Sequence, residues 1–217
     1  MDPAALEGKE CYGGLDLASI RDLAAFALVF PAQKRLAALA HFWCPRETAL
    51  DRENRGVAPS YFDFAREGLL TLTEGNVIDY GHIRKFIGEW GARFPIRRIA
   101  VDRWNAASII TDLGDDGFTM VPFGQGFGSM SAPTKELDRL VASGELSHGG
   151  NPVLRWMASN AVVSQDPAGN LKPNKEKAAD KIDGIVALIM AIGTMIAPYG
   201  KETGPSIYET RGVISVG

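Results

Sequence analysis

The stretch Tyr12–Phe30 (YGGLDLASIRDLAAFALVF) constrains the fold most, because it holds two apolar runs of strand length set close together. Gly13 and Gly14 lead into a run in which Leu15 and Leu17 flank one carboxylate, Asp16. Ala24–Phe30 follows after the turn-like Ser19-Ile20-Arg21-Asp22. Short apolar runs separated by a polar turn predict a β-hairpin buried in a sheet. A lone charge in the first strand of such a sheet is costly unless it is paired or bound to a metal. Asp16 therefore either sits on a solvent-facing edge with no role or belongs to a site.

Arg35–Trp43 (RLAALAHFW) is a third apolar run, ended by Pro45, so the first three strands read as an antiparallel meander. Arg46–Arg55 is charged and helix-compatible, and Pro59–Arg66 gathers Tyr61, Phe62 and Phe64 on a short amphipathic helix. Leu69–Thr73 is a brief strand. Asp79 is placed to cap a helix through Arg93, on which Ile83, Phe86, Ile87 and Trp90 form one apolar stripe. Ile96–Val101 is a strand ending on Asp102; Asn105–Leu113 is a helix, and Phe118–Phe123 another strand. Helix and strand in alternation imply parallel pairing added to the meander. The expectation is an α/β fold with a mixed sheet, three antiparallel strands plus parallel ones, flanked by helices.

Gly124–Ser131 (GQGFGSMS) lacks the dinucleotide spacing and reads as a flexible loop. Pro133–Ser143 and Asn151–Ser159 are helices, the second with Asn151 as cap and Pro152 at its first position. Ala161–Gln165 is a short strand and Asp166–Ala179 a polar loop. Lys181–Ala197 is helical and apolar almost all round, which predicts burial. Residues 1–10 read as a flexible leader, 11–198 as one domain and 199–217 as a tail.

Several classes of function are disfavoured. The net charge is −3 and the pI near 5.7, so no global basic field announces a nucleic-acid binder, although a local groove would not register in the total. Cys11 and Cys44 have no metal-ligand spacing, which suits a reduced, intracellular protein. The first ten residues are mixed polar and charged, unlike a signal peptide. The apolar segment Ile182–Pro198 contains Asp183 and is shorter than a membrane span needs. Gly200-Lys201 is the nearest approach to a Walker A loop, but it lacks the following Ser/Thr and the upstream Gly. His41, His82 and His148 lie far apart and form no HxxxH or HExxH pattern.

Three aspartates share a context: Asp16 in the first strand, Asp102 at the end of a central strand (IAVDRW), and Asp183 at the start of the buried helix (KIDGIVALIMA). Asp16 lies between two leucines, and Asp102 and Asp183 each directly follow an apolar residue. Carboxylates brought together repel one another, and Mg²⁺ or Mn²⁺ relieves that repulsion through oxygen ligation. Asp183 also has a plainer reading, since a carboxylate in the first helical turn gains from the helix dipole. A pair of cations roughly 4 Å apart in such a cluster suits phosphodiester hydrolysis. Lys172, Lys175, Lys177 and Arg103 are candidate contacts to a DNA backbone, with a solvated surface as the alternative.

In order, YGGLDLASIRDLAAFALVF, LTEGNVIDYGHIRKFI, IAVDRWNA, LSHGGNPVLRWMASNAVV, KPNKEKAADKIDGIVALIMA and the late SIYETRG resemble the C-terminal nuclease domain of the large terminase subunit of tailed bacteriophages. The likeness runs from residue 11 onward. It implies an RNase H-like fold and an endonuclease that uses two Mg²⁺ or Mn²⁺ ions to cut double-stranded concatemeric phage DNA during genome packaging. It also implies that Asp16 in GLDLA, Asp102 in AVDRW and Asp183 in KIDG are the catalytic, metal-holding acids, with Asp22 in an outer role. The partners implied are double-stranded DNA, a packaging ATPase domain, the small terminase subunit and the portal protein, with no membrane. The setting implied is the cytoplasm of an infected or lysogenic bacterial host. The family's Walker A-bearing ATPase part has no match here, so the chain reads as an excised nuclease domain or a remnant.

Two other readings stay open. One is a catalytically silent RNase H-like docking module of the packaging motor, favoured if a Lys or Arg side chain permanently fills the acidic site. The other is an actin-like or sugar-kinase-type phosphotransferase, whose first hairpin also carries an Asp after glycine. That fold repeats the motif in a second half, for which 217 residues leave no room.

Overall fold

The meander forms because its strands serve two cores at once. In a computed structural model that describes residues 2–17, 22–102 and 107–197, the first three runs are β1 (Cys11–Asp16), β2 (Ala24–Pro31) and β3 (Leu36–Pro45), paired antiparallel in chain order. Leu23, Ala25, Ala27 and Val29 enter one core, while Ala24, Phe26, Leu28 and Phe30 enter the other. A strand covered on both faces reads as an unbroken apolar run, as β2 does. Ser19 to Arg21 of the expected turn, Arg103, and the tail with SIYETRG lie outside the described residues.

Helices α1 (Arg46–Asn54) and α2 (Tyr61–Arg66) lead to β4 (Leu70–Thr73), which lies parallel to β3. Helix α3 (Tyr80–Arg93) begins as expected, with the Asp79 carboxylate accepting from Gly81 N at 2.8 Å. Next come β5 (Ile96–Val101), α4 (Ala107–Asp115) and β6 (Met120–Pro122), with β5 parallel to β1 and β6 parallel to β5. The remainder is α5 (Phe127–Ala142), β7 (Leu146–Ser147), α6 (Pro152–Asn160), β8 (Val163–Gln165), β9 (Leu171–Pro173) and α7 (Asp183–Ile196). The main sheet runs β4-β3-β2-β1-β5-β6, with β7 added beside β3. Buried residues of α3 and α4 fill one face, and those of α5, α6 and α7 fill the other. This is the α/β, RNase H-like mixed sheet that the resemblance implies.

Local expectations give way in three places. Within residues 1–10, read as a flexible leader, Pro3–Leu6 forms a 3-10 turn capped by Asp2, and Leu6 is only 5% exposed. The Glu7 carboxylate pairs with Arg93 at 2.8 Å and ties this turn to α3. The glycine-rich stretch is loop only as far as Gly126; its remainder is the start of α5, with Pro133 inside the helix rather than at its beginning. Burial of Met130 and Pro133 outweighs the local preference of proline for a first turn. The polar stretch after Gln165 contains β9, which returns antiparallel to β8. Asp166 holds that hairpin's turn, accepting from Ala168 N at 2.9 Å and Asn170 N at 2.8 Å.

The face of the sheet under α7 is made of small residues: Gly14, Ala25, Ala27 and Ala100. Gly14 permits the closest approach. A methyl group there would stand 2.6 Å from Ala191 N and nearer still to Ala187 O, so no larger residue fits without moving the helix. Gly14→Ala is expected to cost ~3 kcal/mol or more of unfolding free energy, as overpacking against rigid backbone does. Gly88→Ala in α3, where a methyl group meets nothing within 4 Å, should instead stabilise by up to ~1 kcal/mol. Urea unfolding of both variants beside the parent chain measures the contrast.

Candidate active site at the meeting of β1 and α7

Asp16 ends β1 and is 1% exposed; Asp183 opens α7 and is 4% exposed. Strand alternation puts Asp16 on the same face as Gly14, under α7. Asp183 lies one helical turn before Ala187, the residue that covers Gly14. The two acids are thereby brought to one point, and the Lys175 ammonium stands between them. Lys175 Nζ donates to Asp16 Oδ2 at 2.6 Å and to Asp183 Oδ1 at 2.9 Å. Gln125 Nε2 donates to the other oxygen of Asp16 at 2.9 Å. The other oxygen of Asp183, Oδ2, is buried with no hydrogen-bond partner.

Asp102 follows β5 directly and is partly exposed. Leu15 pairs with Val101 in parallel register, so Asp102 comes next to Asp16 across the sheet. Among the described residues, however, no three His, Cys, Asp or Glu side chains close into a metal-holding group. Of the three acids expected to converge, Asp16 and Asp183 are joined through the ammonium of Lys175, and Asp102 follows the strand beside Asp16. The physical reason is charge: one ammonium relieves the repulsion between two buried carboxylates.

Asp22 stands at the edge of this group. Its Oδ2 accepts from Lys181 Nζ at 2.5 Å, and with Lys175, Lys181 and Asp183 it lines a cleft of about 360 Å³. Burial pushes the Asp183 carboxyl up to about 6, the attraction of Lys175 pulls against that, and the charges of Asp16 and Asp22 add to the rise. Burial alone would lower the Lys175 ammonium, but Asp16 and Asp183 outweigh it and raise its pKa well above the ordinary lysine value.

The other basic candidates are elsewhere. The Lys172 ammonium lies 5.2 Å above the Phe127 ring, and Lys177 is exposed on the turn after β9. Arg103 falls outside the described residues. His41 is stacked on Phe86 at 4.1 Å and bonded to Thr71 at 2.8 Å, which makes it a buried core histidine.

Sequence reasoning missed Gln125 and Arg52. Gln125 had one available signal: it is a polar residue at the C-terminal edge of parallel strands, where ligand sites of open sheets gather. Arg52 is 7% exposed and forms a bidentate pair with Asp180 at 2.7 and 3.2 Å. Its guanidinium also covers the Tyr61 ring at 4.7 Å and the Trp156 ring at 5.2 Å. This pair, with Asn160 donating to Lys181 O at 3.1 Å, clamps the segment that leads into Asp183. A charge pair so distant in sequence leaves no local trace.

The donor set suits a divalent cation. Two buried carboxylates and one ammonium leave one negative charge, and the second oxygen of Asp183 is buried without a hydrogen-bond partner. Hard oxygen donors of this kind are those that Mg²⁺ and Mn²⁺ prefer.

The family described as "Terminase large subunit, endonuclease domain" matches residues 1–198. The large terminase subunit of Enterobacteria phage HK97 is 37% identical over 199 residues, which cover 90% of this chain and 39% of that protein. The crystal structure of the HK97 large terminase superposes with a TM-score of 0.80 at 36% identity, covering 87% of this chain and 40% of that one. The large terminase nuclease of thermophilic phage G20c, crystallised with bound magnesium, superposes with a TM-score of 0.56 at 12% identity, covering 85% of this chain and 81% of that one. The chain thus spans about two fifths of the length of the HK97 protein.

A carboxyl whose folded pKa lies above its unfolded value of 3.8 adds stability that is complete below that value and lost as pH rises through about 6. Relative to Asp183→Asn, the cation-free parent chain should therefore lose about 2 kcal/mol of unfolding free energy between pH 4 and pH 6.5. Denaturant titrations in chelator across that range, on both chains, test the sign.

Proposed function

Because the chain belongs to the family of terminase large subunit endonuclease domains, we propose that it is a metal-dependent endodeoxyribonuclease cutting double-stranded concatemeric phage DNA during genome packaging. The observation that carries this reading is the buried pair Asp16 and Asp183, which share a single positive charge and keep one carboxylate oxygen unmatched. Asp16, Asp183 and the adjacent Asp102 would hold two divalent cations, Mg²⁺ or Mn²⁺. When bound, such cations supply an activated water and stabilise the leaving oxygen of the phosphodiester. The magnesium found in the phage G20c nuclease supports that choice of ion.

The chain's own groups have distinct parts in this scheme. Gln125 orients the Asp16 carboxylate through one oxygen and so leaves the other to face Asp183. Asp22 holds Lys181 beside the cleft and adds negative potential to it. Lys172, Lys175, Lys177 and Arg103 are the candidate contacts to backbone phosphates, which would position the duplex without reading its sequence. The proposed partners are DNA, a packaging ATPase domain, the small terminase subunit and the portal protein, in the cytoplasm of the bacterial host. Among the described residues, no helix is long and apolar enough to cross a membrane.

One observation favours a second reading. The bridge from Lys175 to both acids resembles the filled site of a silent docking module. Digestion of supercoiled plasmid with Mn²⁺ or Mg²⁺ separates the two. The nuclease should nick and linearise plasmid, chelator should stop it, and Asp16→Asn, Asp102→Asn and Asp183→Asn should each slow it at least about 100-fold. Cleavage that persists through all three substitutions would remove the assigned roles. Mn²⁺ binding without cleavage, even in the presence of a packaging ATPase domain, would favour the silent module.

A further inference from the structure

We propose that Lys175 is a built-in counter-ion that holds Asp16 and Asp183 together while no divalent cation is bound, and that a divalent cation loads only by displacing it. The inference rests on the metal-dependent reading given above and adds a gate to that site.

Its geometry is a bridge rather than a surface contact. The ammonium meets one oxygen of each acid, at 2.6 Å and 2.9 Å, and those acids are 1% and 4% exposed. Two buried carboxylates without a cation between them repel strongly, so the bridge stabilises the arrangement that a metal would require. The backbone that carries Lys175 is held on both sides. Asn174 N donates to Val162 O at 2.8 Å, and Asn174 Nδ2 donates to Ser164 Oγ at 2.8 Å. Asn174 Oδ1 in turn accepts from Glu176 N and Lys177 N, each at 3.0 Å. Beyond the turn, Arg52 grips Asp180 at 2.7 Å. A lysine that met the acids by chance would not be presented from a turn secured in this way.

The side chain is nonetheless 41% exposed and opens on the cleft. A flexible four-carbon stem lets the ammonium swing into water while the turn stays in place. A divalent cation brings twice the charge to the same oxygens and would reclaim the unmatched Asp183 Oδ2 as well. Once released, the ammonium stands at the mouth of the cleft, where a backbone phosphate is its natural partner.

The test is Mn²⁺ binding without DNA, read by the electron paramagnetic resonance signal of free Mn²⁺, on the parent chain, Lys175→Gln and Lys175→Arg. Lys175→Gln should bind at least about tenfold more tightly than the parent, the order of one partly screened charge interaction, and Lys175→Arg no more tightly than the parent. Amine acetylation of the parent chain, mapped by mass spectrometry, supplies a reading that does not depend on how any variant folds. Modification of Lys175 should rise several-fold when Mn²⁺ is added, while Lys172 and Lys177 stay level. Equal or weaker Mn²⁺ binding by Lys175→Gln, or a Lys175 acetylation rate indifferent to Mn²⁺, overturns the counter-ion gate and leaves the metal-dependent reading standing. Absence of Mn²⁺ binding by every chain overturns both.

Discussion

The seating of α7 on β1 is the contact from which the rest of the site follows. Gly14 lets the helix backbone come so near that Ala187 and Ala191 straddle it. Two residues along a strand advance about 6.6 Å, and four along a helix about 6 Å. The step from Gly14 to Asp16 therefore matches the step from Ala187 back to Asp183, and the two carboxylates meet. Glycines also thin the helix elsewhere: Gly184 admits Phe42 and Met157, and Gly193 admits Phe123. The apolar character of α7 on nearly every side follows from this seating, with the sheet below and α5 and α6 beside it.

Placing two acids in that seam creates an electrostatic demand. Neither can lose its neighbour's field, and neither reaches bulk water freely, so a positive charge must stand between them or one must take up a proton. The raised pKa of Asp183 and the raised pKa of Lys175 are two expressions of that demand. The fold supplies a lysine from a turn secured by Asn174 and by the Arg52–Asp180 pair. With the lysine in place the two acids still leave one net negative charge.

Alternation and apolar runs made much of the architecture legible in advance. The three strands of the meander, the Asp79 cap, the Asn151-Pro152 start of α6 and the buried final helix all come from interactions within a few residues, which a linear reading captures. The late start expected for α5 fails because burial of Met130 and Pro133 overrides the local preference of proline. Strand β9 was missed because its hairpin pairing with β8 is formed by a polar stretch without strand alternation. Leu6 belongs with Met130 and Pro133, since its partners are far along the chain.

By itself the sequence determined the kind of sheet, its flanking helices and three aspartates in settings where a charge needs a reason. It could not say which of them share a partner, because the bridge between Asp16 and Asp183 depends on a close approach that one glycine permits. Nor could it tell that Lys175, one of three similar lysines in a polar run, enters the acid pair while Lys172 lies over an aromatic ring and Lys177 faces water. Tertiary structure decided that. Charge pairing acts through space, and residues 159 positions apart became neighbours only once helix and strand were packed together.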